Sequence, residues 1–209
     1  MNIVSKITNI LIKSIELNKS ASLIVSGGSS PIEIFKKLSI CDLNWKKVFV
    51  TLVDDRMVAP THADSNEALV QKYLLVNKAS EATFIPLNTL SNYSHTINRP
   101  FDVTLLGMGE DGHFASLFPD MIKSKVKVET EALNTDSEPT ILTTLPKGYP
   151  KHPRITMNLS MILDSKLIIL IVNNKAKKSV LDDALKNKLL PVHYLLSQNK
   201  KDILIEASF

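Results

Sequence analysis

Three short stretches of this chain concentrate side chains able to do chemistry. The first is Gly107-Met108-Gly109-Glu110-Asp111-Gly112-His113, where an aspartate and a histidine stand two residues apart among three glycines. A carboxylate beside an imidazole fixes its tautomer and stabilises its protonated form, which makes a competent general base. The same histidine could instead bind a backbone carbonyl and serve only the loop. The second stretch is Ser26-Gly27-Gly28-Ser29-Ser30-Pro31. Adjacent glycines let a ligand approach the backbone, and three hydroxyls add polar partners, a combination suited to a phosphate or similar anion. The third is Asp54-Asp55-Arg56. Arginine is scarce here: there are 22 lysines but only Arg56, Arg99 and Arg154. Its planar fork grips phosphate or carboxylate through two bonds, which lysine cannot do. Arg56, and Arg154 in Pro153-Arg154-Ile155-Thr156, are therefore candidate anion clamps, with a surface ion pair as the plain alternative for Arg56. Arg99, just before Pro100, reads as structural.

The remaining candidates carry less. His62 follows Pro60 and could rim a pocket; His95, His152 and His193 read as surface or structural. No H-E-x-x-H or Cys/His cluster is present, so no metal is expected. There is no G-x-S-x-G elbow, and Ser116 lies near His113 without making a triad.

Elements must position these stretches. Ile3, Ile7, Ile10, Leu11, Ser14 and Ile15 recur at helical spacing, so the chain opens with an amphipathic helix. Leu23 to Val25 reads as a strand leading into the serine loop. Ile34, Phe35 and Leu38 then mark a helix, with Ser30 as its cap, Pro31 in its first turn and Glu33 three residues on. Val48 to Val53 is a buried strand ending at Asp54. Asp64 to Ala79 reads as a helix, with Asp64 and Glu67 spaced as a capping box. Val103 to Leu106 and Leu167 to Val172 are further strands, and 175–186 a further helix. Apolar strands alternating with helices imply a parallel sheet covered on both faces. The stretch 123–153, polar and proline-rich, reads as an antiparallel excursion or a long loop.

Five of the six glycines fall in the two strand-end loops. Ligands of open α/β sheets bind beyond the carboxyl ends of the strands, where both loops lie. No linker divides the chain, so its 209 residues read as one domain.

Composition narrows the partners. The net charge is +4, but 25 basic and 21 acidic residues are interspersed, which argues against a nucleic-acid track and suits a small anionic substrate. The longest apolar run, Leu167 to Val172, is too short to span a bilayer. With Cys41 as the only cysteine and no signal-peptide pattern, a reducing, cytoplasmic setting is expected.

In this order, the stretches resemble the 6-phosphogluconolactonase family from Ser26 to about Leu196. The shared pieces are Ser26 to Pro31, Asp54 to Arg56, His62 to Glu67, Phe84 to Leu87, Gly107 to Pro119, Pro153 to Thr156, Lys177 and Leu190 to Val192. The chain departs from the family at Asp55 (usually Glu), Met57 (commonly aromatic), Asp120 (usually Gly) and near Asn174 (usually Gly). The resemblance implies an α/β, Rossmann-like parallel-sheet sandwich with helices on both faces, a fold shared with glucosamine-6-phosphate deaminases and ribose-5-phosphate isomerases. It implies hydrolysis of a sugar-phosphate lactone without a cofactor, with His113 as base, oriented by Asp111. It also implies a substrate site of Ser26, Gly27, Gly28, Ser29, Ser30, Asp54, Arg56, Gly109, Arg154 and Lys177. A monomer or weak homodimer is expected. Two other readings stand beside it. One is a non-catalytic sugar-phosphate binder or sensor, for which no room remains for a DNA-binding module before the first strand. The other is a deaminase-like isomerase, whose similar loop carries an acidic residue five positions after the histidine, where this chain has Phe118.

Overall fold

The computed structural model describes residues 2–93, 97 and 99–207; His95 lies outside the described residues. Among the described residues there are nine strands: β1 Ala21–Val25, β2 Val48–Leu52, β3 Asp54–Arg56, β4 Thr83–Phe84, β5 Phe101–Gly107, β6 Ile141–Lys147, β7 His152–Met157, β8 Ser165–Val172 and β9 Ile203–Ala207. The helices are α1 Ile3–Asn18, α2 Ile32–Ser39, α3 Asn66–Tyr73, α4 Pro119–Ile122, α5 Lys127–Glu131, α6 Leu159–Leu163, α7 Lys175–Ala184 and α8 Pro191–Ser197.

Six strands form one parallel sheet in the order β4-β2-β1-β5-β8-β9. All five residues of β1 and the first six of β5 are buried. Successive side chains of a strand point to opposite faces, so continuous burial means that both faces are covered. This is the expected α/β architecture. The opening helix turns Ile3, Ile7, Leu11 and Ser14 inward and packs on β1 and β5. Ser14 donates to buried Asp102, which also accepts the Ser22 N–H at 2.8 Å and the Lys166 ammonium at 2.6 Å. This network ties together β1, β5 and β8 near the starts of the strands, opposite the glycine loops.

The stretch 123–153 resolves as the antiparallel excursion. Strands β6 and β7 pair there, and β3 joins β7 to complete a three-stranded sheet. Asp54-Asp55-Arg56 is therefore a strand of its own and not the tail of β2. Two further strands, β4 and β9, extend the edges of the parallel sheet and carried no clear sequence signal.

Two helix starts differ from the sequence reading. The helix expected over 64–79 is shorter, spanning Asn66–Tyr73, and its cap is Ser65, whose hydroxyl accepts the Ala68 N–H at 3.2 Å. Asp55, on β3 eleven residues before Asn66, reinforces this start. Its carboxylate accepts the N–H groups of Asn66 at 2.6 Å and Glu67 at 3.1 Å. Spacing could not reveal a cap supplied from another strand. Ser30 likewise does not cap α2, which starts after Pro31 without a side-chain cap; its hydroxyl is engaged by Lys177 instead. Among the described residues, no helix is long and apolar enough to cross a membrane.

Candidate active site

The carboxyl ends of β1 and β5 open onto a polar cleft of about 180 Å³, closed on its other side by β3 and β7. The first strand-end loop supplies Ser26, Gly27, Gly28, Ser29 and Ser30. Gly27 has no room for a side chain, since a Cβ there would collide with the carboxamide of Asn66. Ser26 is buried, and its hydroxyl has no hydrogen-bond partner.

The second loop carries His113. Its Nδ1 lies 2.5 Å from an Asp111 carboxylate oxygen, which also accepts the His113 backbone N–H at 3.2 Å. Burial pushes the Asp111 carboxyl up, but the hydrogen bonds and charge of His113 outweigh it and hold the group below the usual carboxylate range. An ionised carboxylate can only accept, so Nδ1 is the nitrogen that donates in this pair, which leaves Nε2 as the one that accepts a proton when the ring is neutral. Gly109 makes the pair possible: a Cβ there would collide with the imidazole. The ring also rests on Phe118, with centroids 4.7 Å apart.

Cations converge from three elements. Arg56 on β3 stands opposite Arg154 on β7 in the antiparallel register. Like charges facing each other across strands repel. Each guanidinium is therefore held by its own acceptors. Arg56 Nη1 donates to the Asp64 carbonyl at 2.8 Å and to Asn66 Oδ1 at 2.9 Å. Arg154 donates from Nε to the Lys147 carbonyl at 3.1 Å and from Nη2 to the Pro150 carbonyl at 3.0 Å, and lies over the Phe118 ring. Burial and then the charge of Arg56 pull the Arg154 guanidinium down from its ordinary value. It remains charged, because guanidinium is too basic to lose its proton in water. The Arg56 Nε is buried without a partner. Lys177, in the first turn of α7, donates to Ser30 Oγ at 2.7 Å. Burial lowers its basicity, opposed by the charge of Glu110. Asn174, a departure from the family pattern, caps α7 by accepting the Lys177 N–H at 2.8 Å.

Asp54 also lines the cleft. Its carboxylate accepts the buried Ser116 hydroxyl at 2.6 Å. Burial pushes the Asp54 carboxyl up, while the Ser116 bond and the two guanidiniums oppose it.

Every substrate-site residue expected from the sequence thus lines one cleft together with His113, and Asp111 supports His113 from behind. Asn66, Gly107, Met108 and Ala115 line it too, although they were not among the expected substrate-site residues. Asn66 ties Arg56 to the Asp54 backbone, to which it donates at 2.8 Å. Its sequence signal is its place in the shared stretch His62 to Glu67. His62 does not line the cleft. Arg99 pairs with Asp164 at 3.3 Å, and buried His193 bonds the Ala184 carbonyl through Nδ1, both structural as expected.

The family model for glucosamine-6-phosphate isomerases/6-phosphogluconolactonase matches residues 1–204. The chain belongs to this family. It is 37% identical to a 6-phosphogluconolactonase of Neisseria meningitidis over 191 residues, covering 85% of this chain and 80% of the relative. A 6-phosphogluconolactonase of Helicobacter pylori is 35% identical over 86% of this chain and 80% of its own length. The crystal structure of a 6-phosphogluconolactonase from Shewanella baltica superposes with a TM-score of 0.88 at 35% identity, covering 99% of this chain and 91% of that one. Family membership makes the conjunction of Asp111–His113 with the cationic wall the feature to explain.

Proposed function

We propose that this chain, acting as a single domain over residues 1–209, hydrolyses 6-phospho-D-glucono-1,5-lactone to 6-phosphogluconate, a step of the oxidative pentose phosphate pathway, without a cofactor. The observation that carries this reading is one cleft holding an oriented imidazole and three cations. A lactone is an activated ester, so water suffices as nucleophile once a base positions it. His113 Nε2 takes a proton from water as its oxygen attacks the lactone carbonyl. The tetrahedral intermediate then collapses, the bond from the carbonyl carbon to the ring oxygen breaks, and His113 returns the proton to that oxygen. Asp111 holds the tautomer and stabilises the imidazolium formed between the two steps. The serine loop, Arg56, Arg154 and Lys177 hold the phosphate and sugar hydroxyls, with Ser26 Oγ and Arg56 Nε supplying donors that have no protein acceptor.

Phe118 supports hydrolysis over deamination. A deaminase-like proton relay needs a titratable group at this position. Here an aromatic ring fills the space between His113 and Arg154 instead. Glucosamine 6-phosphate is therefore expected to release no ammonia.

The deciding experiment follows loss of 6-phosphogluconolactone with and without the protein in one buffer. A rate well above the spontaneous one is expected. A rate equal to it would leave a non-catalytic binder as the better reading.

A further inference from the structure

His62, Asp64 and His152 come together beside the candidate active site, and none of them lines its cleft. His62 and Asp64 sit in the turn between β3 and α3, whereas His152 opens β7. The pairing of β3 with β7 brings them side by side, extended by the Met57 N–H donating to the Pro153 carbonyl at 2.8 Å. The turn itself is pinned. The His62 N–H reaches the Ala59 carbonyl at 2.8 Å, and the Ser65 N–H reaches the His62 carbonyl at 2.9 Å.

One ligand atom from each of the three side chains lies within 4.8 Å of the other two. His152 Nε2 is 2.8 Å from Asp64 Oδ2, and His62 Nδ1 is 3.8 Å from the same oxygen. Two ligands of a tetrahedral ion with bonds of ~2.0–2.1 Å stand roughly 3.3 Å apart, so these gaps bracket the required spacing. The imidazoles meet edge to face, with centroids 5.7 Å apart. His62 is half-exposed and can rotate inward. Doing so exchanges the Asp64 N–H bond that its Nδ1 now accepts at 3.0 Å for a metal bond. Charge is set both ways: the Asp64 carboxylate attracts a cation, and Arg56, bonded to the Asp64 carbonyl, opposes one.

We propose that His62, Asp64 and His152 form a three-ligand site for a borderline divalent transition ion of the Zn²⁺ or Ni²⁺ type, with water in the fourth position. Imidazole and carboxylate donors suit such ions, whereas Mg²⁺ and Ca²⁺ prefer all-oxygen sets. The ion takes no part in the lactone chemistry. It clamps the β3–α3 turn to β7, and through the Asp64 carbonyl it fixes the surroundings of Arg56. The linear sequence hides the site because its two histidines meet only through strand pairing.

The test is calorimetric titration of Zn²⁺ into the chelator-treated full chain. One ion per chain is expected, with no heat from Mg²⁺. His62→Ala, Asp64→Asn and His152→Ala are each expected to weaken binding at least tenfold while far-UV circular dichroism stays native. His113→Ala is expected to bind Zn²⁺ as the parent does, which separates this cluster from the Asp111–His113 pair. Co²⁺ is expected to give the visible absorption of a tetrahedral nitrogen-and-oxygen site, lost in His152→Ala. Absence of binding at millimolar Zn²⁺ would overturn the proposal. So would undiminished binding in the His62→Ala/His152→Ala double variant. Neither outcome bears on lactone hydrolysis, which is assayed separately.

Discussion

The two walls of the cleft are built differently. One wall is the carboxyl edge of the parallel sheet, where the loops after β1 and β5 bring Ser26 to Ser30 and the Asp111–His113 pair. Its reacting pair is local: Asp111 and His113 stand two residues apart and are made compatible by Gly109. The other wall is the small antiparallel sheet, which holds Asp54, Arg56 and Arg154. Asp64 and Asn66 hold Arg56, and Lys147 and Pro150 hold Arg154, from a few positions away, but the wall itself exists only through long-range pairing: β3 sets Arg56 opposite Arg154, and Ser116 reaches Asp54 from 62 positions on. The first wall carries the reacting imidazole. The second carries two facing guanidiniums, whose mutual repulsion the neighbouring carboxylates of Asp54, Asp55 and Asp64 oppose. Chemistry is thus encoded in short motifs, and substrate grip in tertiary register.

The sharpest challenge to this division is His113→Ala. General-base catalysis contributes about 10²–10⁴-fold, so kcat should fall by that factor while 6-phosphogluconate still binds to the charged wall. His113→Gln should behave alike, and Asp111→Asn should lose less. Near-parental kcat in a folded His113→Ala protein would make the histidine structural, with Asp54 the next base to examine.

The charged wall is tested by Arg56→Ala. Losing a charge-assisted contact costs on the order of 1.5–3 kcal/mol, or roughly ten- to a hundredfold in kcat/KM for the phosphorylated lactone. Gluconolactone lacking phosphate should be a poor substrate of the parent and should respond much less to the substitution. Equal activity on both lactones would remove the phosphate from this wall.

Gly27→Ala probes the seam between the walls. The added methyl meets Asn66, which holds Arg56, so the local motif should damage the distant wall. Overpacking of this kind costs about 1–3 kcal/mol of stability, readable by denaturant titration, and kcat/KM should fall with it. An undisturbed Arg56 function would separate the two walls.

The smallest effect expected is on pH dependence. Asp54 has a raised pKa in the folded chain, first because of burial. A carboxyl raised on folding binds its proton more tightly in the native state. Its contribution is therefore present below the ordinary aspartate value of about 3.9 and is lost as pH rises through the raised one. Asp54→Asn should flatten that part of the stability curve measured by thermal unfolding across acid pH. An unchanged curve would mean that Arg56, Arg154 and Ser116 offset burial fully.

Much of the parallel sheet was legible beforehand, because β1, β2, β5 and β8 are apolar runs buried on both faces and carry their own signal. The glycine loops were legible for the same local reason: their residue types and spacing already specify close backbone approach and an oriented imidazole. What only the tertiary structure decided were matters of register. Asp55 caps α3 from another strand, Ser30 serves Lys177 and not its own helix, and Asn66 bridges Arg56 to Asp54. Arg56 faces Arg154, and His62 reaches the vicinity of His152, only because β3 pairs with β7. Side chains nearby in sequence announce their partners through spacing. Partners separated by tens of residues are chosen by strand pairing, a long-range outcome of packing the whole core that no local pattern records.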